Sequence, residues 1–128
     1  MIKCLWIGAG GFLGAVCRYL LGQAVSASIK HPFPFSTLLI NFIGALLMGL
    51  ITEFSFKIAP IPANIIAFLT VGILGGFTTF STFSLETVNL MESGRVMLSL
   101  MNAVASVVLC IAGVYLGKLL IRTAVKIL

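Results

Sequence analysis

From Pro62 to Leu90 the chain has no lysine or arginine, and its apolar residues run long enough to cross a bilayer. A segment in lipid has few options, because its backbone N–H and C=O groups must be satisfied internally. A helix does this within one segment. The same stretch then departs from plain membrane-helix sequence. Gly72 to Glu86 reads GILGGFTTFSTFSLE, with a glycine pair at Gly75-Gly76 and hydroxyls interleaved with Phe80 and Phe83. A helix that only sat in lipid has no need of that pattern. Gly75 and Gly76 can take backbone angles that other residues avoid. Unwinding there would free carbonyl oxygens near mid-membrane, and such carbonyls hold small cations in membrane proteins. The expectation is a broken transmembrane helix at an ion site.

The rest of the chain fits a small integral membrane protein. Sixty per cent of the 128 residues are hydrophobic and 9 % are charged, far from the balance of a soluble domain. At about 20 apolar residues per crossing, the length allows four spans in one domain and no soluble catalytic domain. The predicted fold class is all-α, with four transmembrane helices over residues 1–128. The spans run from Cys4 to Leu21, Ser36 to Phe54, Pro62 to Glu92 with an interruption near 75–79, and Val96 to Leu116. Four short helices wall a polar path poorly, since each has lipid on one side. Transport therefore favours a homo-oligomer.

The net charge of +5 does not point to nucleic acid. Lys3, Lys30, Lys57, Arg95 and the Lys118 to Lys126 group sit at span ends or loops, the usual place for membrane-flanking cations. The side with both termini carries Lys3, Lys57, Lys118, Arg122 and Lys126; the other carries Lys30 and Arg95, plus Arg18 if it snorkels there. So modest a bias is compatible with insertion in both orientations. Cys4, Cys17 and Cys110 form no CxxC pair and lie in apolar sequence, so they read as packing residues. His31, in the loop from Ala24 to Phe35, reads as an interfacial residue without metal-binding partners. More spans follow the first, which has no convincing small-residue cleavage site and reads as a span, not a removable signal peptide. No nucleophile–base pair is placed for catalysis, so the chain does not read as an enzyme.

Several polar residues lie inside the spans. Gly10 and Gly14 make a GxxxG step for close helix approach. Arg18, near the end of span one, reads either as snorkelling to the interface or as an anion-attracting charge at a water-filled cavity. Thr37, Asn41, Ala45 and Gly49 recur every four residues as one stripe. Asn41 faces protein or water, either in an interhelical hydrogen bond or on a polar path. Ser99, Asn102, Ser106, Cys110, Gly113 and Gly117 form one face of span four, a packing face or the far wall of a polar track. Phe80 and Phe83 share a face in a resumed helix. Aromatic rings have a positive edge, so they can meet a small anion, with Ser81, Thr82, Ser84 and Asn41 as hydrogen-bond donors.

The whole chain resembles the Fluc (CrcB) fluoride channel family. The resemblance rests most on GGFTTFSTFSLE, Gly75 to Glu86, which fits the family's third-span signature. GGFLGAVCRYLLG, Gly10 to Gly22, is similar to its first-span glycine and arginine pattern, and STLLINFIG, Ser36 to Gly44, to its GTLxxNxxG stretch. Ser36 replaces the glycine usual before Thr37, Cys110 falls where a serine is often found, and Asn102 occupies a variable position. The resemblance implies an antiparallel, dual-topology homodimer in the bacterial plasma (inner) membrane with two fluoride pores. It implies a structural Na⁺ on the dimer axis, held by the carbonyls of Gly75 and Thr78. It also implies that Phe80 and Phe83 supply aromatic edges, that Asn41 polarises the path, and that Ser81, Thr82 and Ser106 belong to a polar track. Arg18 and Glu86 match the family pattern, with vestibule or packing roles.

The function implied is passive, fluoride-selective export that lowers cytoplasmic fluoride. A proton-coupled small multidrug exporter is also a four-helix dual-topology dimer, but it resembles its kin in a span-one glutamate, and span one here has no acid. A non-transporting packing protein would explain the GxxxG steps, including Gly72/Gly76 and Gly113/Gly117. It would leave the hydroxyls interleaved with Phe80 and Phe83 without a reason.

Overall fold

The computed structural model describes residues 1–127, and every regular element in them is helical. The order is α1 (Ile2–Ser28), α2 (Phe35–Lys57), α3 (Ala63–Ala67), a π-helical segment (Phe68–Leu74), α4 (Gly75–Phe77), α5 (Phe80–Glu92) and α6 (Val96–Ile127). Four stretches are long and apolar enough to cross a membrane: α1, α2, the run Ala63–Glu92, and α6. The helices outrun the apolar windows. α1 continues past Leu21 to Ser28, through the first five residues of the expected loop, and α6 continues past Leu116 to Ile127. Helices stop at breakers rather than where hydropathy falls. Pro32 and Pro34 follow α1, Pro60 and Pro62 precede α3, and Gly94 at φ +77 turns the chain between α5 and α6.

The burial pattern is that of a membrane bundle. Large apolar side chains such as Phe12, Leu20, Val107 and Ile111 point outward, while Thr37, Glu53, Thr79, Ser99, Asn102 and Ser106 are buried. Lipid accepts the apolar surface, and polar side chains bind one another inside. α2 and α6 run parallel, with Phe42 beside Gly113 and Leu46 beside Gly117. α1 runs parallel to the third span, with Gly10 beside Phe68 and Gly72, and Gly14 beside Ile73 and Phe77.

The glycine pair does not unwind the third span. Gly75 has helical angles, φ −64 and ψ −38, and Gly75–Phe77 is a helical turn. The extended residues come next: Thr78 at φ −83, ψ 158 and Thr79 at φ −151, ψ 116. Gly76 is needed for contact instead. A β-carbon there would stand 2.5 Å from Gly11 O and 3.0 Å from Gly11 Cα. Backbone cannot give way as a side-chain tip can. Gly76→Val should therefore lower stability by about 1–3 kcal/mol through overpacking, read by denaturant titration in detergent. Gly11→Ala, whose β-carbon meets nothing within 4 Å, should be nearly neutral in the same assay.

Candidate functional site

Two consecutive extended residues in an apolar bundle expose backbone groups that a helix would have satisfied. Asn41 of α2 supplies the partners. Its Nδ2 donates to Thr79 O at 3.0 Å, and its Oδ1 accepts from Thr79 N–H at 2.8 Å. One carboxamide thus pairs with one residue's whole backbone, as a neighbouring peptide group would. Thr79 then caps α5: its Oγ1 accepts from Thr82 N–H at 3.2 Å, its hydroxyl donates to Thr82 Oγ1 at 3.0 Å, and Ser81 Oγ lies 3.3 Å away.

These contacts redirect donors. In an unbroken helix Thr79 N–H would serve Gly75 O, and Thr82 N–H would serve Thr78 O. Here they go to Asn41 and to Thr79 Oγ1. The two carbonyls singled out from sequence, Gly75 and Thr78, are those whose helical donors are taken. Arg18 Nη1 of α1 faces Thr78 O at 3.4 Å. Arg18 therefore points into the bundle at the extended pair rather than out to the headgroups.

A cavity lies on each side of Thr79. The first, about 400 Å³, is lined by Asn41, Thr79, Phe80, Phe83, Ser106 and Cys110 among others. The Phe80 and Phe83 rings stand 5.3 Å apart at 50°. The second, about 410 Å³, brings together Arg18, Thr37, Thr79, Thr82 and Glu86. Thr37 Oγ1 donates to Glu86 Oε1 at 2.8 Å, while Glu86 Oε2 is buried with no hydrogen-bond partner among the described residues. The sequence-selected residues thus fall into two groups that meet at Thr79.

Others lie elsewhere. Ser84 Oγ bonds back to Phe80 O at 2.9 Å within α5. Asn102, 1 % exposed, is a bridge between helices: its Nδ2 donates to Thr87 Oγ1 at 2.8 Å, and Ser106 Oγ lies 3.4 Å from its Oδ1. Thr87 hands the chain on to Phe83 O at 2.7 Å, and Ser99 Oγ donates to Thr87 O at 2.8 Å. This network ties α6 to the helix that carries both phenylalanines. Thr87 was missed from sequence, as was Glu53. Glu53 is 4 % exposed and accepts from Arg122 Nε at 2.7 Å. An acid inside an apolar span needs a partner, and that rule alone marks Glu53.

Comparison with known proteins places the chain in a family. The family profile described as "CrcB-like protein, Camphor Resistance (CrcB)" matches residues 5–118. A protein of Ruminiclostridium cellulolyticum named "Fluoride-specific ion channel FluC" is 46 % identical, covering 96 % of this chain and 95 % of its own. Proteins of the same name from Magnetococcus marinus and Citrifermentans bemidjiense are 45 % and 43 % identical, covering 91 % and 95 % of this chain and 94 % and 98 % of theirs. With nearly the whole chain matched, and at this identity, the protein is a member of the CrcB family.

Proposed function

We propose that this chain is a fluoride-specific ion channel of the bacterial plasma membrane, conducting the anion passively out of the cytoplasm. The observation that carries the reading is Thr79, clamped by Asn41, with a cavity on each side of it, the first a largely apolar pocket into which Asn41 and Ser106 bring polar groups. Asn41 has two N–H donors and spends one on Thr79 O. The other is available to an anion in the first cavity. Ser106 Oγ reaches its acceptor only at 3.4 Å, a weak bond that an anion can displace. Phe80 and Phe83 add ring edges. On the far side, Thr82 and the Arg18 guanidinium supply donors and positive charge. Several weak contacts let an anion enter and also leave.

The driving force needs no coupling chemistry. Hydrogen fluoride is a weak acid that crosses membranes neutral and dissociates inside. A membrane potential that is negative inside then expels the trapped anion through any selective path.

The working unit in this proposal is an antiparallel homodimer inserted in both orientations. Phe80 is 78 % exposed although it lines the first cavity. A second copy would close that open side. One structural Na⁺ would lie between the chains. Gly75 and Thr78 carbonyls, two from each chain, suit a hard cation that takes oxygen ligands. Their helical donors are already taken, as described above. The ion would join the two chains and would not move.

Liposomes holding the purified protein test the function. Rapid fluoride efflux with chloride retained is the expected result. Equal leakage of both anions, or of neither, refutes it. Exhaustive replacement of sodium by N-methylglucamine should lower the flux; unchanged flux would remove the cation from the proposal while leaving the channel in place.

A further inference from the structure

A second polar site lies far from the extended pair, at the end of the bundle where α2 stops and α6 runs on. Glu53 of α2 holds the Arg122 guanidinium of α6, Nε to Oε1 at 2.7 Å and Nη2 to Oε2 at 3.4 Å. Around this pair a cleft of about 890 Å³ is lined by Lys57, Lys118 and Lys126, with Phe56, Leu119 and Val125 as apolar wall. Among the described residues Glu53 is the cleft's one carboxylate. Against it stand Lys57, Lys118, Arg122 and Lys126, which leaves a net charge of +3.

Lys118, Arg122 and Lys126 recur every four residues, so they share one stripe of α6. The Glu53 pair fixes that stripe toward α2. Arg122 uses Nε and Nη2 on Glu53 and keeps Nη1 free of that carboxylate, with half its side chain exposed. Lys57 Nζ sits 5.2 Å from the Phe56 ring centroid.

Membrane depth follows from length. The 32 residues of α6 span about 48 Å, against about 30 Å of hydrocarbon. The last turns must therefore reach headgroup level. There Leu120, Val125 and Ile127 are exposed beside the cationic stripe. That is the composition of a helix segment at the interface, apolar toward the chains and cationic toward the headgroups. Lys57 and Lys126 complement the ends of their own helices, and cations here also bias insertion. Neither effect accounts for a cleft in which three lysines gather around a fixed arginine.

We infer that this cleft binds the phosphate headgroup of an anionic membrane lipid, with Lys57, Lys118, Lys126 and the free Arg122 edge as donors. Its acyl chains lie along Phe56 and Leu119. A free phosphate would gain nothing from the apolar wall or from the interfacial depth. A bound lipid would brace α2 against α6, the helices that carry Asn41 and Ser106.

The test uses the purified full chain in detergent, so that lipid binding is read apart from transport. Native mass spectrometry counts lipids retained from mixtures of phosphatidylglycerol and phosphatidylcholine, and thermal unfolding follows protection by each. The unaltered chain should retain phosphatidylglycerol over phosphatidylcholine. The double variant Lys118→Gln/Lys126→Gln keeps the Glu53–Arg122 pair. It should lose phosphatidylglycerol affinity on the order of 20-fold, each lysine near an anionic headgroup contributing about fivefold, with phosphatidylcholine unaffected. Should it not purify, Lys126→Gln alone, on the exposed last turn, should show the single drop of about fivefold. Equal retention of the two lipids overturns the inference, as does unchanged affinity in the variants. Protection by inorganic phosphate equal to that by phosphatidylglycerol also overturns it, since the cleft would then take a soluble anion.

Discussion

Asn41→Ala should destabilise the chain by about 2–6 kcal/mol and abolish fluoride efflux. Thr79 is 8 % exposed and carries extended backbone among apolar helices. Asn41 satisfies both its N–H and its C=O. Alanine leaves both without a partner, and each buried unsatisfied group costs about 1–3 kcal/mol. The loss also removes the amide N–H offered to the anion. Asn41→Asp separates the two effects. A protonated carboxyl reproduces the clamp, its C=O accepting from Thr79 N–H and its O–H donating to Thr79 O. This variant should therefore unfold closer to the parent than Asn41→Ala does, yet conduct poorly, because it has no spare N–H. Denaturant titration in detergent and liposome efflux read the two quantities. Stability of Asn41→Ala equal to the parent would dispose of the clamp.

The membrane fold was legible because lipid imposes one rule on every span. Sustained apolar runs, with cations between them, are enough to place four helices. Which residues within the expected 75–79 interruption leave the helix was not legible from the same reasoning. Glycines were expected to unwind, since they alone tolerate unusual angles. But Thr78 and Thr79 take ordinary extended angles, open to any residue, and the glycine at 76 answers to contact with Gly11. What permits the departure is a partner 38 positions away, Asn41. A carboxamide in a span announces that it has a partner but not which one. Gly44 is a related case. A β-carbon there would collide with the Thr78 methyl, so its smallness is set by a residue 34 positions along the chain. The Glu53–Arg122 pair and the Asn102–Thr87 bridge are long-range pairings of the same kind. Composition shows that such groups must be satisfied. Only the packing shows how.

Phe80→Ile should slow fluoride efflux about tenfold while leaving the fold of the chain intact. Phe80 is 78 % exposed in the single chain, so shortening it opens no interior cavity and leaves the Asn41 clamp untouched. Its ring stands 5.3 Å from that of Phe83 on the wall of the first cavity. The positive edges of such rings are electrostatically suited to a bare anion, and contacts of this class are worth about 0.5–1.5 kcal/mol. If the upper part of that range falls on the rate-limiting barrier, the flux changes by about a factor of ten. Isoleucine keeps the apolar volume and lacks the polarised edge, whereas Phe80→Tyr keeps the edge and should retain most of the flux. Phe83→Ile is the weaker probe, because Phe83 is half-buried in α5 and its loss also disturbs packing. Fluoride efflux in Phe80→Ile equal to that of the parent, with the protein folded, would take the aromatic edges out of the path. Asn41, Ser106 and Thr82 would then have to carry the anion by hydrogen bonds alone.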